Sequence, residues 1–141
     1  MDVEINYLAV FLAAVSTMVV GSVWYMPKVF GAAWAKMAKV NINRKMSSGE
    51  MAYMFGGTFV ISLISAYVLA HFAYLSNSFY DNSFLQDALM TGFWAWLGFT
   101  AVRFATHDIF ENRRKKLTLI NVGNEFVTIM VMAFIIGLMG V

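Results

Sequence analysis

Four polar residues near the end of the chain, Asn121, Asn124, Glu125 and Thr128, recur three or four positions apart inside a run of apolar residues. On a helix such spacing gathers them on one face about 100° wide. A carboxylic acid flanked by carboxamides and a hydroxyl can bind a cation or carry a proton. The same group can also be a buried acid whose hydrogen bonds fix helix register. Glu125 lies eight residues past Leu117, which at about 1.5 Å per residue is about 12 Å along a helix axis. A charge at that depth in a bilayer costs on the order of 3 kcal/mol, so the side chain is expected to face the protein interior. Arg103 is the expected partner for it.

A second group of ionisable residues follows Arg103. His107 and Glu111 are four apart, a spacing that brings two metal ligands together on a helix. With no third ligand in reach, no metal site is expected, and a polar helix end at the membrane surface accounts for the group. The chain has no cysteine, which removes thiolate and disulfide chemistry. No Gly-rich phosphate loop and no Ser-His-Asp order at a shared depth is present. No enzyme activity and no cofactor are expected.

These residues must be positioned by helices that cross a membrane. The chain of 141 residues is 60% hydrophobic and only 13% charged, against about 25% charged in soluble domains. A hydrocarbon core about 30 Å thick is crossed by about 20 apolar residues. Residues 5–26, 51–75 and 117–141 meet that length, and 84–104 does so with a shorter apolar centre. The expected architecture is an all-α bundle of four transmembrane helices in a single domain. The first segment reads as a retained helix, because Asp2 and Glu4 precede it and no basic residue does.

All ten basic residues fall in two segments: Lys28, Lys36, Lys39, Arg44 and Lys45 after the first span, and Arg103, Arg113, Arg114, Lys115 and Lys116 around the third connection. The positive-inside rule puts both segments in the cytoplasm and both termini outside an inner, multi-pass cell membrane. This placement explains the basic residues without nucleic acid.

Between 28 and 40, Phe30, Ala33, Trp34 and Met37 form an apolar stripe away from Lys28, Lys36 and Lys39. The pattern predicts a short amphipathic helix on the membrane surface, with Trp34 toward lipid and the lysines at anionic headgroups. Ser47 with Glu50, and Ser83 with Gln86, have the spacing of helix N-caps. Small residues repeat every fourth position at Ala9, Ala13, Thr17 and Gly21, again at Thr58, Ser62, Ala66 and Ala70, and at Ala133 and Gly137. In lipid such stripes allow close helix crossings. Trp94 and Trp96, two apart, must face nearly opposite sides of a helix.

Three stretches carry a family likeness. They are Gly21, Trp24, Tyr25, Pro27, Phe30, Gly31 and Trp34 in the first; Trp96, Leu97, Gly98 and Phe99 in the second; and Phe110, Glu111, Asn112 and Arg113, followed by Asn121, Val122 and Gly123, in the third. Together they resemble the domain of unknown function 1761 family, small bacterial and archaeal membrane proteins of about four helices. Asn112 stands where that pattern more often has glycine. The resemblance implies a multi-pass membrane protein and brings no activity or ligand with it.

Two functions are compatible with these residues. One is a small homo-oligomeric transporter or channel-like bundle that uses Glu125. The other is a non-enzymatic interaction or scaffold module that binds lipid or a partner membrane protein of unknown identity.

Overall fold

The computed structural model describes residues 3–80 and 82–141. Every regular element among them is helical: α1 (Tyr7–Trp24), a wide π-type turn (Pro27–Gly31), α2 (Ala32–Ala38), α3 (Ser48–Tyr80), α4 (Phe84–Ala95), a second wide segment (Trp96–Ala101), α5 (Val102–Phe110) and α6 (Lys115–Met139). Three of these, α1, α3 and α6, are long and apolar enough to cross a membrane.

The expected span 84–104 is not one such helix. It is helical throughout, but α4 stops at Ala95 and the chain continues through widened turns to α5. There the Val102 N–H reaches back five residues to the Leu97 carbonyl, which marks an extra residue accommodated in the turn. The second expected span also differs, since α3 continues past residue 75 to Tyr80.

Local chemistry accounts for the helix ends. The Asn6 side chain accepts the Ala9 N–H at 3.0 Å and starts α1. Ser47 and Glu50 form the reciprocal capping box expected of them, with Ser47 N–H to Glu50 at 2.9 Å and Glu50 N–H to Ser47 at 3.2 Å. Ser83 accepts the Gln86 N–H at 3.3 Å ahead of α4. After α1, Pro27 opens the wide turn, and the Gly31 N–H closes it on the Met26 carbonyl at 3.0 Å. A Cβ at Gly31 would sit 2.1 Å from the Tyr25 carbonyl oxygen, so only glycine permits this turn. Asn112 ends the α5 region with φ 51°. That left-handed conformation explains why glycine suits the position and why asparagine can replace it.

The helices close a ring in which α1 and α4 each pack against both α3 and α6. Seven of the eleven residues in the central apolar cluster are alanine. The small-residue stripes produce this closeness. Ala9, Ala13, Ala66, Ala70 and Ala133 are buried, and the Thr17 hydroxyl donates to Ser62 at 2.8 Å between α1 and α3. Gly92 lies against Ala133, and Gly137 lies against the Leu85 backbone, where added Cβ atoms would come within 2.9 and 2.8 Å.

The stripes do not meet along their whole length. Gly21 has open space around it, Thr58 is exposed, and α3 is exposed or half-exposed from 48 to 61. Only from 48 to 56 is α3 exposed throughout, since Phe59 already packs on Phe11 of α1 at 5.9 Å.

Candidate functional site

The polar segment of α6 is gripped by three tryptophans. The Trp24 indole N–H donates to the Ile120 carbonyl at 3.2 Å. Trp34 donates to Asn121 Oδ1 at 3.1 Å, and Trp96 donates to the Val122 carbonyl at 3.1 Å. Three indole donors from three parts of the chain thus converge on three successive residues. The Tyr25 hydroxyl adds a longer bond of 3.4 Å to Asn121 Oδ1. Gly123 admits the Trp24 ring, since a Cβ there would stand 3.2 Å from the indole edge.

This arrangement corrects the expectation for Trp34, which faces the bundle rather than lipid. The turn closed by Gly31 folds α2 back against α6. Trp34 then stacks edge-on with Tyr25 at 5.1 Å, and Phe30 packs on Trp24 at 4.6 Å. The indole N–H finds an acceptor inside the protein, as a half-buried tryptophan requires. Lys28, Lys36 and Lys39 are exposed.

Asn121 is therefore engaged as an acceptor for two aromatic donors. Its neighbours along the face are not. Asn124 is buried, and its amide nitrogen has no hydrogen-bond partner. Glu125 and Thr128 are half-buried. Among the described residues, the side chain of neither makes a hydrogen bond, and Glu125 joins no ion pair; the ion pairs there involve Arg44 with Glu50, and Arg113 with Asp108 and Glu111. Glu125 lies ten residues into α6, near the middle of the helix and about 15 Å from its start.

Arg103, the expected partner of Glu125, is exposed and makes no ion pair with it. The wide segment explains the difference. Trp96 faces α6, and in a regular helix Arg103, seven residues on, would share its face. One extra residue in the intervening turns moves the phase forward by one. Half-buried Phe104 and buried Asp108 occupy that face instead. Trp96 packs on Phe126 at 4.7 Å while Trp94 is 59% exposed, the opposed directions their spacing requires.

His107 and Glu111 stand at the end of α5, where the Glu111 carboxylate is engaged by Arg113 at 2.5 Å. The helix ends at Phe110. No three potential metal ligands cluster among the described residues.

Two acids are buried where the sequence suggests none, Asp87 and Asp108, the latter expected only as part of the polar helix end with His107 and Glu111. Asp108 accepts the Thr118 hydroxyl at 2.5 Å and ties α5 to α6. Asp87, 2% exposed, accepts amide N–H groups from Asn77 at 2.9 Å and Asn82 at 3.0 Å. Asp87 was detectable as an acid in the first turn after the Ser83 cap. The burial of Asp108 was not, because the altered helix phase that buries it leaves no periodic trace.

The three family-like stretches of the sequence hold the gripping residues, with Trp24 and Trp34 in the first, Trp96 in the second, and Asn121 to Gly123 in the third. A family model described as "Protein of unknown function (DUF1761)" matches residues 8–137. The chain belongs to this family. The match runs from α1 through nearly all of α6 and includes every residue of the DUF1761 candidate site. No curated protein and no solved structure matches the chain.

Proposed function

We propose that this DUF1761 protein is a non-enzymatic, four-span membrane protein that assembles with copies of itself and moves protons or cations by way of Glu125. The observation that carries this reading is an acid in the middle of an apolar helix with no hydrogen-bond or ion-pair partner among the described residues. An intramembrane carboxyl is costly, and one with a purely structural role is expected to be satisfied by neighbours. The adjacent Asn124 amide, buried and unsatisfied, offers a hydrogen-bond donor at the same level.

The four-span reading takes the continuous helical path from α4 through α5 as the third crossing. Its support is that α4 packs between α3 and α6, as α1 does on the other side. Segregation of all ten basic residues into two segments supports both termini lying outside and both basic segments in the cytoplasm. Four small helices enclose little volume, which favours a pathway formed between copies.

The test is flux. Wild-type protein in liposomes dissipates an imposed pH or cation gradient, and Glu125→Gln does not. Equal rates in the two proteins, or none in the wild type at any pH, count against transport.

The interaction-module reading has one observation in its favour, the exposed start of α3. Residues 48–56 are all exposed, up to the point where Phe59 packs on Phe11 of α1, and Gly56 and Gly57 are open to a close approach. A co-purifying membrane protein lost on Gly57→Leu, together with no flux, would establish it.

A further inference from the structure

At the cytoplasmic end of the third helical run lies a cleft of about 380 Å³ that the transport reading does not use. Phe99, 78% exposed, and Phe104 give it aromatic surface, with Phe99 one helical turn before Arg103. The rest of its lining includes Arg103, His107, Glu111 and Arg113 with the buried Asp108. The charges are not equally available. Arg113 is engaged by Glu111 at 2.5 Å and by Asp108 at 3.7 Å, and Asp108 is further held by Thr118. Arg103 forms neither an ion pair nor a side-chain hydrogen bond among the described residues, so of the cleft's two guanidinium groups it is the one no carboxylate engages. The surrounding segment is positive, with five basic residues against Asp108 and Glu111 between positions 103 and 116.

The same widened turns that remove Arg103 from Glu125 deliver it to this cleft. A guanidinium next to an exposed aromatic wall, at the level where the helices leave the bilayer, fits a molecule with an anionic head and an apolar tail. An anionic headgroup phosphate can accept two parallel N–H bonds from arginine, while an acyl chain lies along Phe99. The cytoplasmic leaflet supplies such molecules.

The geometry points to a binding site for an anionic phospholipid, with its phosphate on Arg103 and its acyl chain against Phe99 and Phe104. The site rests on the membrane placement proposed above and is independent of any role for Glu125.

The whole chain in mixed micelles, titrated with phosphatidylglycerol or phosphatidylcholine and read by native mass spectrometry, tests it. Phosphatidylglycerol is expected to bind in preference. Arg103→Gln should weaken that binding about tenfold, the weight of one charge-assisted pair of bonds. Arg114→Gln, in the same basic run but outside the cleft, leaves it unchanged, and so does Glu125→Gln, which separates this site from the transport reading. Inorganic phosphate at the same concentration does not compete.

Equal binding of the two lipids overturns the proposal. So does an equal loss in the Arg103 and Arg114 variants, which would mean diffuse attraction, or displacement by inorganic phosphate, which would mean a soluble anion. If Arg103→Gln fails to fold, Arg103→Lys keeps the charge and loses the two-pronged geometry. Weaker binding of phosphatidylglycerol supports the site, and undiminished binding overturns it.

Discussion

Trp34 and Asn121, 87 residues apart in sequence, are joined by an indole N–H donating to Oδ1 at 3.1 Å. The bond fastens the loop helix after α1 to the polar turn of α6, just before Asn124 and Glu125. With Trp24 and Trp96 donating to the adjacent carbonyls, it sets the rotation of α6 and so the direction in which Glu125 faces.

Asn121→Leu leaves the Trp34 and Tyr25 donors without their acceptor. The expected cost is about 1–3 kcal/mol, the range for an abandoned part-buried polar group. Trp34→Phe removes one donor and keeps the aromatic packing, so its cost is expected nearer 1 kcal/mol. Chemical or thermal unfolding in one detergent compares the two, and the double variant should cost less than their sum.

Gly137→Ala and Gly21→Ala make a matched pair. A methyl at 137 would lie 2.8 Å from the Leu85 backbone, whereas at 21 it meets nothing within 4 Å. The first is expected to lose about 1–3 kcal/mol through overpacking. The second is expected to be neutral or to gain up to about 1 kcal/mol from helix propensity. Melting temperatures of the two variants decide it.

Much of this arrangement could be read from residue types. The caps at Ser47 and Ser83, the opposed directions of Trp94 and Trp96, and the close-packed part of the alanine stripes depend on local spacing, which a linear chain displays. The partners of Asn121 and Glu125 depend on helix phase and chain reversal, which it does not. One additional residue in the turns at Trp96–Ala101 rotates Arg103 away, and a turn possible only with Gly31 sends Trp34 inward. The same wide segment interrupts the helix expected over 84–104. The polar face of α6 was legible, but which of its members lacked partners was not.

Asp87→Ala should be costly although the residue sits beside a loop. It would strand the amide donors of Asn77 and Asn82, which now meet at one carboxylate and join the end of α3 to the start of α4. A loss of about 1–3 kcal/mol is expected, and Asp87→Asn, which keeps one acceptor, should recover part of it in the same unfolding assay.

Acid is expected to loosen the start of α3. At about 1.5 Å per residue, this helix of 33 residues is about 50 Å long, more than a bilayer core needs. On the proposed placement, with the crossing within 51–75, the first-turn Glu50 lies outside it. The Ser47 backbone N–H, the Ser47 hydroxyl and Arg44 hold its carboxyl below the usual glutamate range. A lowered folded-state value means a contribution present above the ordinary glutamate pKa and lost as pH falls through the lower one. The amide resonance of Ser47 should titrate with that lowered midpoint, and Glu50→Gln should abolish the titration.

The most direct measurement for Glu125 reads folding and flux in one variant. Glu125→Gln is reconstituted beside the wild type, with its melting temperature taken first and gradient-driven proton or cation flux second. The account predicts a melting temperature equal to or above that of the wild type, because an unpartnered carboxyl has been replaced by a neutral group, together with loss of flux. A variant that melts well below the wild type, or one that carries the same flux, would contradict it.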